Sequence, residues 1–287
     1  MRTDLSMSPA VTQAFVLGSG GFLGRRIVIE DGDRYIPFQV SQLRHESDLP
    51  RFEREVEILL KHEPEIAIVN CIGIRDAPLA TMELLNVRIP ESLTKMTAKH
   101  GSRLIHFGSA AETTQVTKVQ SNGAGSLPPA MLTYGATKRA GTQACLAYKN
   151  ATVLRVYNLY GLPHQSGSGL HHLCRSVRVA LNEGVQPSLI DTTRDYVHWE
   201  SVRLALDSAL DLKSCGLIEV CSGFGISMSE IIEGLPFAVR TQVAEQLKPA
   251  NYFAPVIGPH SDLSVEASSK SAVIDTLRDE VMTCASS

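Results

Sequence analysis

Short apolar runs recur along the chain, separated by stretches with helical spacing. Ala14-Phe15-Val16-Leu17 is the first and ends at Gly18. Further runs lie at Ile36–Val40, Ile66–Cys71, Arg103–Phe107, Ala151–Val156 and Leu217–Cys221. Runs of strand length alternating with helical segments predict an α/β chain with a doubly wound parallel sheet, covered by helices on both faces. Pro37 weakens the second run, because proline cannot donate to a sheet ladder. Val56, Leu59 and Leu60 are spaced to share a helix face, as are Leu85, Ile89 and Leu93. Asp48 with Pro50 close behind predicts a helix start, with the aspartate as N-cap. After about residue 160 the rhythm changes. Gly161–Gly169 is rich in glycine, proline and serine and reads as a loop, and the later pieces mix without a clear period.

Length adds a constraint. At 287 residues the chain is long enough for two units, or for one large α/β domain with an appendage. Twenty-seven basic against thirty acidic residues leave a net charge of −3, so no basic surplus draws the chain to nucleic acid or anionic lipid. No segment offers about 18 unbroken apolar residues, so no membrane span is expected. The first dozen residues are polar, without the apolar core of a signal peptide. The six cysteines show no C-x-x-C pair, and reduced thiols in the cytoplasm are the expectation.

The first strand runs into Gly18-Ser19-Gly20-Gly21-Phe22-Leu23-Gly24-Arg25. Glycines at 18, 21 and 24 at the head of a helix have the spacing of a dinucleotide cradle. Gly18 permits the tight turn, Gly21 lets backbone approach a pyrophosphate, and Gly24 lets helix and strand pack closely. Gly20, Phe22 and Leu23 complete the turn, whose helix N-terminus offers N–H groups to phosphates. After the second strand come Ser41-Gln42-Leu43-Arg44, with no carboxylate to bind an adenosine ribose. Ser41 leaves room, and Arg25 or Arg44 can meet a 2′-phosphate, so NADP is favoured and NAD is the alternative.

Ser109 follows the strand Arg103–Phe107, at the sheet edge where open α/β sheets bind ligands. Tyr134 and Lys138, four residues apart, share a helix face. A phenol titrating near about 10 becomes a usable proton donor when an ammonium lies beside it. A serine beside the phenol holds the reacting oxygen. Nine histidines show no metal-ligand spacing, and the adjacent His171 and His172 are expected to point apart on a helix, so no metal site is expected. His106 is read as a satisfied core residue.

These features resemble an extended short-chain dehydrogenase/reductase of the NAD(P)-dependent epimerase/dehydratase group, from about residue 13 to about 235. Leu154-Arg155-Val156-Tyr157-Asn158-Leu159-Tyr160-Gly161 resembles the group's L-R-x-x-N-x-Y-G, and Arg194-Asp195-Tyr196-Val197-His198 its R-D-Y-I/V-H. Val220-Cys221-Ser222-Gly223 resembles a further strand end of the group. The resemblance implies a Rossmann-type fold and activity on nucleotide sugars. It implies that Ser109, Tyr134 and Lys138 are catalytic, with Tyr134 and Lys138 also touching cofactor, that Cys71 and Gly73 lie where a turn passes the cofactor, and that Ala110, Asn158 and Arg194 meet the substrate. Asn86 and His198 match positions that are structural in the group. Pro64-Glu65-Ile66-Ala67-Ile68-Val69-Asn70 resembles a segment of dTDP-4-dehydrorhamnose reductases, in which the third strand is reduced. A homodimer through the helices near 82–100 and 134–149 is implied in the same way.

Two departures bear on activity. Dehydratases of the group carry Asp-Glu after the serine or threonine; here Ala110 and Ala111 follow Ser109 and Glu112 comes one position late. The glycine-rich turn before R-D-Y is shortened to Asp191-Thr192-Thr193. The expected organisation is a cofactor domain over 1–160, joined by part of 190–225, with a substrate region over 161–190 and 225–287. The expected activity is reduction of a keto group on a nucleotide-linked sugar, for example a 4-keto-6-deoxy hexose. An epimerase with retained NAD and a non-catalytic NADP-binding sensor are the rival readings on the same fold.

Overall fold

All six apolar runs form strands, and the six strands form one sheet. The computed structural model describes residues 13–40, 42–113, 129–182, 188–211, 215–249, 257–259 and 269–286. Ser41 and the first dozen residues lie outside the described residues. In chain order the elements are β1 (Ala14–Leu17), α1 (Phe22–Glu30), β2 (Tyr35–Phe38), α2 (Leu49–His62), β3 (Ala67–Asn70), α3 (Leu79–Glu83), α4 (Ile89–His100), β4 (Leu104–Ser109), α5 (Pro129–Leu146), β5 (Ala151–Val156) and β6 (Asn158–Tyr160). Then follow α6 (Gly169–Leu181), β7 (Leu189–Asp191), β8 (Thr193–His198), α7 (Trp199–Asp211), β9 (Gly216–Val220), β10 (Gly225–Ser227), α8 (Met228–Glu233), α9 (Phe237–Ala244), β11 (Leu247–Pro249) and α10 (Lys270–Ser286).

The sheet order is β2-β1-β3-β4-β5-β9. β1 runs parallel to β2 and β3, and β3 parallel to β4. All four residues of β3 are buried, as expected for a strand covered on both faces. Pro37 pairs in register with Val16 from the edge strand β2, and sheets tolerate proline at edges. No described strand lies outside β2, so the short link from β2 to α2 leaves β2 at the edge.

The chain divides into two units. The first comprises Met1–Phe107, Ala140–Val153 and Asp207–Gly216. Its core brings together Leu17, Phe52, Val56, Ile68, Leu93 and Leu104, all inaccessible to solvent. Ser92 Oγ donates to Glu53 at 2.6 Å and Lys99 Nζ to Glu57 at 2.8 Å, tying α4 to α2. Pro50 sits in the first turn of α2, but Asp48 makes no side-chain cap to that helix. Its carboxylate instead accepts the N–H groups of Arg44, at 2.9 Å, and His45, at 3.0 Å, in the short turn before the helix. These two bonds hold its pKa below the usual carboxylate range. α3 and α4 are joined by a π-helical turn over Leu84–Arg88. That turn carries Asn86, fully buried, which clasps the Ile74 backbone: Oδ1 accepts from Ile74 N at 2.9 Å and Nδ2 donates to Ile74 O at 2.8 Å.

The second unit comprises Gly108–Arg139, Leu154–Leu206 and Leu217–Ser287. Here β8 pairs parallel with β6 and antiparallel with β10, while β7 and β11 pair in parallel. Its core includes Leu170, Leu173 and Val177 of α6, Ile231 of α8, Val243 of α9 and Leu277 of α10. The C-terminal stretch, which gave no sequence signal, supplies α10 to that core. Arg178 donates to the carbonyls of Cys284 and Ala285, Arg278 to those of Glu230 and Ile231, and Gly161 N–H to Glu280 at 3.0 Å. Among the described residues no helix is long and apolar enough to cross a membrane.

Candidate active site

In the first unit the chain leaves β1 through a left-handed residue. Gly18 has φ +77°, and a Cβ there would lie 2.9 Å from both Cys71 C and Ile72 N. The turn therefore rests directly on the backbone after β3, which only glycine allows. Gly21 is the N-cap of α1 and its N–H donates to Gly18 O at 2.9 Å. A Cβ on Gly24 would lie 2.5 Å from Gly18 O, so the third glycine lets helix and turn meet. Gly20 is exposed with nothing within 4 Å of its Cβ position. Phe22 and Leu23 open the first turn of α1, where N–H groups have no intrahelical acceptor, and Arg25 closes it, its N–H donating to Gly21 O at 3.0 Å. Open backbone at a helix N-terminus, with no acidic residue in that turn, fits a dinucleotide pyrophosphate.

The opposite wall of this turn comes from the backbone of Cys71 and Ile72. Cys71 N–H donates to Leu17 O at 2.9 Å, and Ile72 N–H to Asn70 Oδ1 at 3.0 Å. Asn70 Nδ2 lies 3.1 Å from His106 Nδ1, and both residues are fully buried. His106 is thus a paired core residue, and Asn70 shapes the turn. The sequence reading passed over Asn70, although a polar residue closing an otherwise apolar strand is a signal for such a role. Arg25 and Arg44 are both exposed to solvent.

In the second unit Ser109 is the last residue of β4 rather than the residue after it. It opens a 3₁₀ turn over Ala110–Thr113. Ala111 N–H donates to Ser109 Oγ at 3.3 Å, and Ser109 N–H donates to Glu112 Oε1 at 2.7 Å. Accepting from Ala111 uses a lone pair of the hydroxyl and leaves its hydrogen to be donated, the polarity needed to hold a carbonyl oxygen. Serine followed by glutamate at the third position is the capping-box spacing, a signal present in the sequence but not used there. Glu112 is 2% exposed, and Arg155 Nε donates to its Oε2 at 3.2 Å. Arg155 also bonds Glu219.

α5 starts at Pro129, so Tyr134 lies inside the helix rather than at its head. Tyr134 is half-buried and Lys138 is 5% exposed. Two close approaches bring this helix to the Ser109 turn. A Cβ on Gly135 would lie 2.4 Å from Ala111 O, and Arg139 Nε donates to Glu112 O at 2.7 Å. The residues flanking Tyr134 and Lys138 thus touch the turn that Ser109 opens.

The same unit joins Asn158 and Arg194. Arg194 Nη1 donates to Asn158 Oδ1 at 3.2 Å and its Nε to Thr192 Oγ1 at 3.2 Å. Asn158 Nδ2 donates to Asp195 O at 2.9 Å. The Asp195 carboxylate, fully buried, accepts Ser222 N and Oγ at 2.8 Å, Gly223 N at 2.9 Å and Gly258 N at 3.1 Å. Asp195 thereby fixes the strand end Val220–Gly223 against β8. His198 accepts Glu200 N–H at 3.2 Å and meets Tyr160 edge-on, which makes it structural. Burial pushes the phenols of Tyr160 and Tyr196 up to about 12. His171 and His172 do not point apart: their rings lie 5.9 Å apart edge-on.

A model of the NAD dependent epimerase/dehydratase family matches residues 14–216. The chain belongs to that family, and its fold is that of the extended short-chain dehydrogenase/reductases. Among solved structures, RMD from Pseudomonas aeruginosa complexed with NADPH is similar at 17% identity and TM-score 0.67, over 96% of this chain and 100% of that one. The dTDP-4-dehydrorhamnose reductase of Bacillus anthracis in complex with NADP is similar at 14% identity and TM-score 0.62, over 88% and 92%. The UDP-N-acetylglucosamine 4-epimerase of Bacillus cereus is similar at 16% identity and TM-score 0.63, over 95% and 96%. No curated protein matches the chain.

Proposed function

We propose, taking membership of this family as the premise, that the protein is an NADP-preferring oxidoreductase that reduces a keto group of a nucleotide-linked sugar, a 4-keto-6-deoxy hexose being the type. The observation that carries the reading is Ser109, with its hydroxyl hydrogen left to donate, on a turn packed against the helix of Tyr134 and buried Lys138. When bound, the nicotinamide supplies hydride. Ser109 donates to the ketone oxygen and holds it; Tyr134 passes it the proton; Lys138 lowers the phenol pKa and binds the nicotinamide ribose. Arg194 and Asn158 hold the nucleotide diphosphate, Arg194 by charge-assisted hydrogen bonds, with Ala110 against the sugar.

A 4,6-dehydration is disfavoured because Glu112 is committed to Ser109 N–H and Arg155, and Ala110 and Ala111 offer no acid. NADP is favoured because no carboxylate follows β2, while Arg25 and Arg44 are solvent-exposed. NADPH should bind roughly tenfold more tightly than NADH, the size of one charge-assisted contact, in a fluorescence titration. With a panel of nucleotide keto sugars, NADPH should then be oxidised one for one with sugar consumed. Equal affinity for both cofactors would remove the NADP preference. Isomerised sugar with cofactor retained and unconsumed would instead favour the epimerase, which uses the same three residues.

A further inference from the structure

We infer that Glu112 is a positioning residue that fixes the Ser109 hydroxyl relative to Tyr134. The inference rests on the reading above, in which Ser109 holds the ketone oxygen. Glu112 acts from two atoms at once. Its Oε1 accepts Ser109 N–H at 2.7 Å, so the carboxylate sets the backbone from which the serine projects. Its main-chain oxygen accepts Arg139 Nε at 2.7 Å, one residue beyond Lys138, so the same residue sets where α5 lies. Arg155 Nε supplies the counter-charge at Oε2, 3.2 Å away.

A buried carboxylate carries a desolvation cost that an apolar side chain of the same volume does not. What the apolar residue lacks is an acceptor for Ser109 N–H. Rotation of Ser109 without that anchor breaks the bond from Ala111 N to its Oγ and lets the hydroxyl donate elsewhere. The spacing from serine to phenol is what a shared carbonyl oxygen experiences, and misplacement by about 1 Å is enough to cost roughly 10²-fold in rate. Truncating Glu112 does not strand Arg155, which keeps Glu219.

The test is a double-mutant cycle with Ser109, read as kcat, KM and NADPH Kd on the keto sugar that the wild type reduces. Glu112→Ala should lower kcat by roughly 10–100-fold with NADPH Kd within about twofold. Glu112→Gln keeps an acceptor for Ser109 N–H and should restore kcat to within about threefold. In a Ser109→Ala background, Glu112→Ala should cost no more than about a further twofold, because its effect passes through the hydroxyl. If Glu112→Ala does not fold, Arg139→Met serves: it removes the tie from α5 to the Glu112 carbonyl, and its kcat loss should likewise vanish in the Ser109→Ala background. Unchanged kcat in Glu112→Ala, or the same loss with and without Ser109, would overturn the inference while leaving the proposed reaction intact. Wild-type kcat in Ser109→Ala would overturn the reading itself, and the inference with it.

Discussion

Tyr134→Phe should lower kcat by roughly 10²–10⁴-fold, the usual worth of a positioned general acid, while NADPH affinity stays within about twofold. The substitution removes one oxygen from a half-buried ring. It leaves Lys138, the Ser109 turn and the whole glycine cradle untouched. Other tyrosines are poor substitutes: burial raises the phenols of Tyr157, Tyr160 and Tyr196, those of Tyr160 and Tyr196 up to about 12, which weakens them as acids near neutral pH. Stopped-flow turnover together with a cofactor titration separates the two effects. Turnover near the wild-type rate would remove Tyr134 from the chemistry.

Gly18→Val should act on folding and cofactor together. At φ +77° an L side chain is strained by about 1–2 kcal/mol. Its Cβ would also sit 2.9 Å from the backbone of Cys71 and Ile72, where no flexible side chain can move aside. Relief of such overpacking costs about 1–3 kcal/mol, so the total loss is about 2–5 kcal/mol. The unfolding midpoint in urea reads this directly. NADPH binding should fall by at least about tenfold, since the turn that presents N–H groups to the pyrophosphate is displaced. Gly20→Ala is the contrasting case: its Cβ would meet nothing within 4 Å, and the midpoint should hardly move. Equal losses at both positions would mean that the close approach at Gly18 is not what stabilises the turn.

The sheet was legible because its strands are short apolar runs, the inner one β3 buried along its whole length, and the first five alternate with helices. Even Pro37 fell in place once β2 proved to be the edge. Three things were not legible. The start of α5 lies at Pro129, upstream of Tyr134, because the spacing of Tyr134 and Lys138 marks a shared helix face and not where the helix begins. Asp48 is the N-cap residue of α2, as its type and Pro50 predict, but its carboxylate is taken by the Arg44 and His45 N–H groups rather than by the helix, which the residue type does not show. The stretch after about 235 was not placed, although Val273, Leu277 and Val281 recur every four residues along α10; the core they enter is assembled from distant segments, which no local pattern shows.

Within the site, residue types that act directly stood out, and those that act through others did not. Ser109, Tyr134 and Lys138 form a recognisable spacing, as do the glycines at 18, 21 and 24. Glu112 read as a dehydratase acid displaced by one position; its Oε1 instead accepts Ser109 N–H, one half of the capping-box pair. Arg139 looks like an ordinary charge in sequence, and Asp195 stands in a recognisable motif that does not show what it bonds. Only the fold shows that Arg139 reaches the Glu112 carbonyl and that Asp195 gathers four hydrogen bonds from Ser222, Gly223 and Gly258.

The most direct test of the central claim is transfer of a label. NADPH deuterated at C4 of the nicotinamide is incubated with the protein and the panel of nucleotide keto sugars, and the product is read by NMR. The account predicts one deuterium on the new carbinol carbon of the sugar for each NADPH oxidised. A sugar that is only isomerised with cofactor unconsumed, or unlabelled sugar beside bound and unchanged cofactor, would contradict it.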